Sequence, residues 1–249
     1  LASNETIYLL FTLTVMNKLA LPNHGSGAPT YIVADEVVFK PAEGYYRYFR
    51  REDKDISEQK ELKGHIVGIG FKLKNTIINK KNPSATKTFT SNEFGFTYYK
   101  NGKKIYVNKF EGKERTLVGS KTWAEWKEEA AGAAEKDRLK TVKCIYLYDI
   151  VADKIMRIEV GGFASTKLND VLKRKDVPGL LATFKVSADP VTHDYGESYV
   201  PTIDLSDVDL NAEQVKALQG KIDFVDSVLN GEPSADAVDA IAAAATIFE

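Results

Sequence analysis

The chain has 249 residues, 43% of them hydrophobic, with 34 lysines and arginines against 35 aspartates and glutamates. That size buries one good core with appendages, and the single cysteine, Cys144, excludes an internal disulfide and a cysteine-rich zinc site. The near-neutral total hides a segregation. Between residues 40 and 121 basic side chains outnumber acidic ones roughly two to one, and from Asp204 onward acids dominate about five to one.

Taken in order, the chain opens on an apolar run at residues 7–15, too short to cross a bilayer and without the basic flank or cleavage pattern of a signal peptide. The expected location is therefore the cytoplasm, a host's if the protein is viral, with no membrane partner. Met16 follows. Either it is the start and residues 1–15 are an upstream extension, or those residues form an extra edge strand or partner-binding arm. Residues 21–29 are a loop by composition. Residues 31–39 read as a strand, and 44–51 interleave Tyr45, Tyr46, Tyr48 and Phe49 with Arg47, Arg50 and Arg51. The acid-rich stretch 52–61 reads as a solvated connector.

Residues 63–73 read as a long strand with Val67, Ile69, Phe71 and Leu73 on one face and Ile66, Gly68, Gly70, Lys72 and Lys74 on the other. Two glycines on one strand face are costly unless the strand bends or something approaches its backbone. Residues 75–88, with Lys80 and Lys81, read as a polar basic loop. For residues 94–110 the Asn101-Gly102 pair predicts a hairpin closed by a type I′ turn, pairing Tyr99 with Lys104, Tyr98 with Ile105 and Thr97 with Tyr106. Tyr99, Lys104 and Tyr106 then share an outer aromatic and cationic face, a placement that depends on the register.

Residues 121–140 are rich in Ala, Glu and Lys and read as a helix anchored by Trp123 and Trp126. Residues 141–149 are apolar on both faces, the pattern of a central buried strand. Residues 155–160 alternate, with Met156, Ile158 and Val160 inward. Gly161-Gly162 ends that strand, and Ser165 or Thr166 is positioned to cap a short helix with Leu168, Val171 and Leu172 on one stripe. A further strand is expected near 180–187, then a loop over 189–201 and helices over 211–229 and 234–248.

The core order is bent strand, strand, strand, helix, strand, strand. That is the order of a five-stranded oligonucleotide/oligosaccharide-binding (OB) barrel, whose first strand curls to join both sheets. The expected fold class is thus mainly β, with an OB-like barrel, peripheral helices, an N-terminal strand extension and a helical acidic C-terminal tail. The expected divisions are 1–30, 31–203 and 204–249.

From about Tyr31 to Pro201 the layout resembles phage-type replicative single-stranded-DNA-binding proteins. The resemblance rests on the segment 143–149 (Lys-Cys-Ile-Tyr-Leu-Tyr-Asp), the segment 156–163 (Met-Arg-Ile-Glu-Val-Gly-Gly-Phe) with its helix, and Tyr199-Val200-Pro201. It implies an OB-type core, no catalysis, and an acidic C-terminal region that contacts other replication proteins. Two features depart from it: the chain ends Thr246-Ile247-Phe248-Glu249 without a terminal phenylalanine, and its tail reads as helical.

Binding single strands without sequence preference needs cations for phosphates and aromatic faces for bases. The candidates are Tyr45, Tyr46, Arg47, Tyr48, Phe49, Arg50, Arg51, Lys72, Lys74, Lys80, Lys81, Tyr99, Lys104 and Tyr106. Against them stand an ordinary edge strand with snorkelling arginines and a solvated basic face. No catalytic or metal-binding residue is expected, and no cofactor. Residues 64–70 have glycines without a following helix, so they are no phosphate loop; His24, His65 and His193 have no metal spacing; and Asp35-Glu36 and Glu128-Glu129 lack a partner base. The expected partner is single-stranded DNA, with a homo-oligomer open. A virion or other structural assembly protein is the alternative, which an apolar stripe on the sheet face would favour. A third class, an OB-type carbohydrate or peptide binder, would show aromatics without clustered lysines.

Overall fold

In a computed structural model the described residues are 32, 34–77, 86–111, 114–172, 177–193 and 196–231. The long strand read from the sequence is there and longer, β4 (Glu61–Ile77), and the sheet is built around it. One side of β4 pairs along its length with β8 (Lys140–Asp149). Its other side pairs with β10 (Leu181–Val186) at the N-terminal half and with β5 (Lys87–Ser91) at the C-terminal half. A strand shared in this way must bend, and the register shifts between Ile66 and Gly68. That bulge changes the expected alternation: Val67 joins the cluster of Val225 and Leu229 that Gly68 and Gly70 face, while Ile69 packs with Ile66 on the opposite one.

From β8 the sheet continues through β9 (Lys154–Val160), β1 (Asp35–Lys40), β2 (Tyr45–Phe49) and β3 (Ile56–Gln59). The pair β1–β9 is parallel and every other pair is antiparallel. From β5 the sheet continues through β6 (Ile105–Glu111) to β7 (Glu114–Lys121). The strand β13 (Pro201–Ser206) adds to β10, and β11 (Val191–His193) with β12 (Gly196–Ser198) forms a separate hairpin. The fold is mainly β, but this mixed sheet is not closed into a barrel. The stretch 52–61 is not only a connector, since β3 lies within it and pairs with β2.

The expected hairpin over 94–110 does not form. Residues Phe96–Lys100 are a short helix, α1, and Gly102 alone carries the positive φ of the turn, at 66°. The reason is a better set of partners. Phe94, just before α1, bridges to Phe71 in β4, its ring lies 6.4 Å from that of Tyr98 on α1 in a shared buried cluster, and β6 finds both β5 and β7. Helix α2 (Trp123–Gly132) starts at a capping box of Thr122 and Glu125. Its Trp126 is buried and donates from Nε1 to the Ile105 carbonyl at 2.9 Å.

Beyond β9, α3 (Gly162–Lys167) begins at Gly161 with no side-chain cap, so neither Ser165 nor Thr166 caps it. It leads into α4 (Asn169–Leu172), and Leu168 and Leu172 are buried against the face of Val37, Ile145 and Ile158. The opposite face is covered in part by α5 (Ala212–Asn230), which buries Leu218, Val225 and Leu229. Gly68 and Gly70 are what this helix approaches. A Cβ at Gly68 would overlap Val225, and one at Gly70 would lie 2.8 Å from Leu229 Cδ2. Through Leu218, Val225 and Leu229 the acidic C-terminal region therefore docks on the core as far as Asn230. The expected helix over 234–248 lies outside the described residues. No helix among the described residues is long and apolar enough to cross a membrane.

Candidate nucleic-acid interface

The registers place one continuous row of side chains across the face that α5 covers only in part. Arg47 in β2 lies opposite Val38, Val38 opposite Glu159, Glu159 opposite Cys144 and Cys144 opposite Gly70. Four residues along β4, Lys74 lies opposite Thr90, Thr90 opposite Asn108 and Asn108 opposite Leu117. Opposed residues in antiparallel strands share a face, so Tyr106, Asn108 and Phe110 join this face from β6 and Arg115 joins it from β7.

The middle of the face is an ionic network. Arg157 donates from Nη1 to Glu36 Oε2 at 2.7 Å and from Nη2 to Glu93. Glu36 also takes Arg51 at 3.2 Å. Glu159 takes Lys72 on one oxygen and Lys74 on the other, at 2.6 Å for Lys74. Tyr146 donates its hydroxyl to Glu93, and Cys144 Sγ lies 3.1 Å from Arg157 Nη2. Burial alone would raise the Glu159 carboxyl, but Lys72, Lys74 and Arg157 outweigh it and hold it well below the usual carboxylate range. Glu93 is lowered against the same burial cost by Arg157 and Lys72. Burial pushes the Cys144 thiol up, away from the thiolate needed for nucleophilic chemistry.

This network and the core remove several of the expected contacts. Tyr46 is 0% exposed and packs on Phe39, and Tyr48 is buried with its hydroxyl donating to Asp35 Oδ2 at 2.7 Å. Phe49 is buried as well. None of the three can stack on a base while the fold is intact. Lys72, at 5% exposure, is committed to Glu159, and Arg51 to Glu36. Arg50 is exposed but lies between Asp53 at 3.0 Å and Asp55 at 2.7 Å.

Tyr45 and Arg47 are half-buried on the network's face, Lys74 is half-buried at the network's edge, and Tyr106 is half-buried on the outer side of β6. Lys104 is exposed at the end of the Gly102 turn. Lys80 and Lys81 lie outside the described residues, as does the side chain of Tyr99.

The structure adds Phe110, Asn108, Thr90 and Arg115, which the sequence reading passed over. Their signal was the period-two run Tyr106, Asn108, Phe110, which the sequence reading placed in the wrong hairpin, while β7 was not expected at all. Four buried polar atoms among the described residues lack a hydrogen-bond partner: Arg47 Nε, Arg51 Nε, Thr90 Oγ1 and Ser120 Oγ. All four belong to residues on this same face, since Ser120 lies opposite Tyr106 and Arg51 reaches Glu36. Among the described residues no group of three or more His, Cys, Asp or Glu side chains is placed to hold a metal ion. No protein-family model, curated protein or solved structure matches the chain.

Proposed function

We propose that this protein is a non-catalytic single-stranded-DNA-binding protein of the phage-type replicative kind, which lays the strand across the outer face of β4, β5, β6 and β7 with little sequence preference. The observation that carries this reading is the outer face of β6 and its neighbours. Tyr106 and Phe110 flank Asn108 on one strand face, with Lys74 on one side and Arg115 on the other. Rings supply stacking to any base, at about 1–3 kcal/mol each, and cations supply the phosphate term. The acids nearest this face, Glu93 and Glu159, are already neutralised within the ionic network.

An OB-type core, opened, belongs to the same proposal. The pairs β4–β5, β5–β6, β4–β8 and β8–β9 are those of a five-stranded OB barrel, and the helix α2 falls between its third and fourth strands. The closing pair, β6 with β9, is absent among the described strands. Contact with replication proteins, as the resemblance implies, falls to residues 232–249, which carry four acids and no lysine or arginine.

The test is a fluorescence titration with single-stranded and duplex oligonucleotides at two salt concentrations. Tighter binding to single strands, weakening as salt rises, is expected, and Tyr106→Ala should lower affinity while leaving thermal unfolding nearly unchanged. Equal binding to duplex, or binding indifferent to salt, would overturn the reading. A structural assembly protein is the second reading, favoured by Leu117 and Val118 standing 58% and 48% exposed on the outermost strand β7. It predicts concentration-dependent association in the absence of nucleic acid.

A further inference from the structure

We propose that Lys74, Thr90 and Arg115 form a subsite for one backbone phosphate of the bound strand, an inference that rests on the single-strand reading above. Thr90 is 4% exposed, and its Oγ1 has no hydrogen-bond partner. A buried hydroxyl left without a partner is unfavourable for the fold alone, and valine would fill the same volume on a strand at no such cost. The hydroxyl is accounted for if a ligand oxygen meets it.

Its surroundings fit an anion. Lys74 lies directly opposite on β4, with Cα atoms about 4.5–5.5 Å apart and both side chains on one face. On the other side Asn108 lies opposite Thr90, and Asn108 Oδ1 accepts from Arg115 Nε at 3.2 Å, which draws the guanidinium over the row. With the Lys74 ammonium turned from Glu159 toward β5, the threonine hydroxyl would stand between an ammonium and a guanidinium, three kinds of donor for phosphate oxygens. Tyr106 and Phe110 lie two residues either side of Asn108, about 6.8 Å each way along the strand. Bases on both rings would bracket a phosphate held between them.

Lys74 is free to turn to such a ligand. It is the half-exposed partner of Glu159, whose other oxygen keeps the buried Lys72 and lies 3.7 Å from Arg157 Nη2. The carboxylate therefore stays compensated when Lys74 leaves it.

The probe is an oligothymidylate, titrated against the full chain and against Thr90→Val and Lys74→Gln, with melting temperatures measured in parallel. Thr90→Val should weaken binding about tenfold, as loss of a hydrogen bond to a charged group does, while its melting temperature holds or rises. Lys74→Gln should lower the slope of log affinity against log salt by about 0.7, the share of one phosphate contact on a single strand. Wild-type binding with both variants matching its affinity and salt slope would overturn the subsite alone. A Thr90→Val protein that melts earlier and binds normally would also overturn it, since the hydroxyl would then serve the fold. Absence of wild-type binding at low salt would remove the single-strand reading, and the subsite with it.

Discussion

Arg157 is the side chain on which the buried charges of the sheet depend. It meets Glu36 and Glu93 directly and lies within reach of Glu159, so its removal would take the direct ion pair from the buried Glu93 and leave Glu36 with Arg51 alone. Arg157→Met should cost about 3–5 kcal/mol, the usual consequence of breaking a buried pair from one side, read from denaturant unfolding. The same network sets a pH dependence. Glu93 and Glu159 are lowered in the fold, so their contribution is fully present above the unfolded carboxylate value of about 4.3 and is lost as pH falls toward their depressed native values. Stability should therefore decline on acidification below about pH 4.5, and a melting temperature flat between pH 5 and pH 3 would contradict the assignment. At this scale the sequence was only half legible. The stretch 45–51 was read by composition, as aromatics plus arginines. Its period of two already separated Tyr46 and Tyr48, which go inward, from Tyr45 and Arg47, which share the face of Lys74. The commitments of Lys72 and Arg51 were not legible, because their partners Glu159 and Glu36 lie far off in the chain.

Among the elements, β4 and α5 explain each other. The glycines of β4 looked like a bend or a close approach, and both are present: the register shifts between Ile66 and Gly68, and Val225 and Leu229 of α5 sit against Gly68 and Gly70. Gly68→Ala should cost about 1–3 kcal/mol by overpacking, with the fold retained, and a neutral effect would mean that α5 does not press on the strand in solution. In the sequence Val215, Leu218, Ile222, Val225 and Leu229 follow helical spacing, but the acidic character of the chain after Asp204 left docking on the core and docking on a partner equally open. The β8–β9 hairpin was legible because its signals are local, an apolar run, a turn and an alternating run. The Asn101-Gly102 hairpin was misread because a local turn signal competed with non-local pairing. β6 gains two strand neighbours in the fold where a hairpin would have given it one, and α1 gains a tie to α5 through the Tyr98 N–H donating to Asn230 Oδ1 at 3.0 Å.

Over the whole molecule, the open sheet separates two cationic regions of one face. Arg47 in β2 and Lys74 in β4 are four strand spacings apart, about 19 Å, and Arg115 in β7 is three spacings further, about 14 Å more. If a strand crosses from β7 toward β2, its length decides which cation it meets. A short oligonucleotide seated on Tyr106 and Phe110 should lose affinity on Arg115→Gln and be indifferent to Arg47→Gln. A longer one, toward the upper end of the 4–16 nucleotide range for such folds, should respond to both. The two sites lie well beyond the distance at which substitutions couple, so their free-energy losses should add in the double variant. Each should also remove about 0.7 from the salt slope of the longer oligonucleotide, one phosphate contact apiece. If Arg47→Gln is silent at every length, the strand stays on the β4–β7 half of the face, and the half-buried arginine serves the sheet instead. If Arg115→Gln is silent while Arg47→Gln is not, the strand lies on the other half, and the aromatic pair on β6 is not its platform.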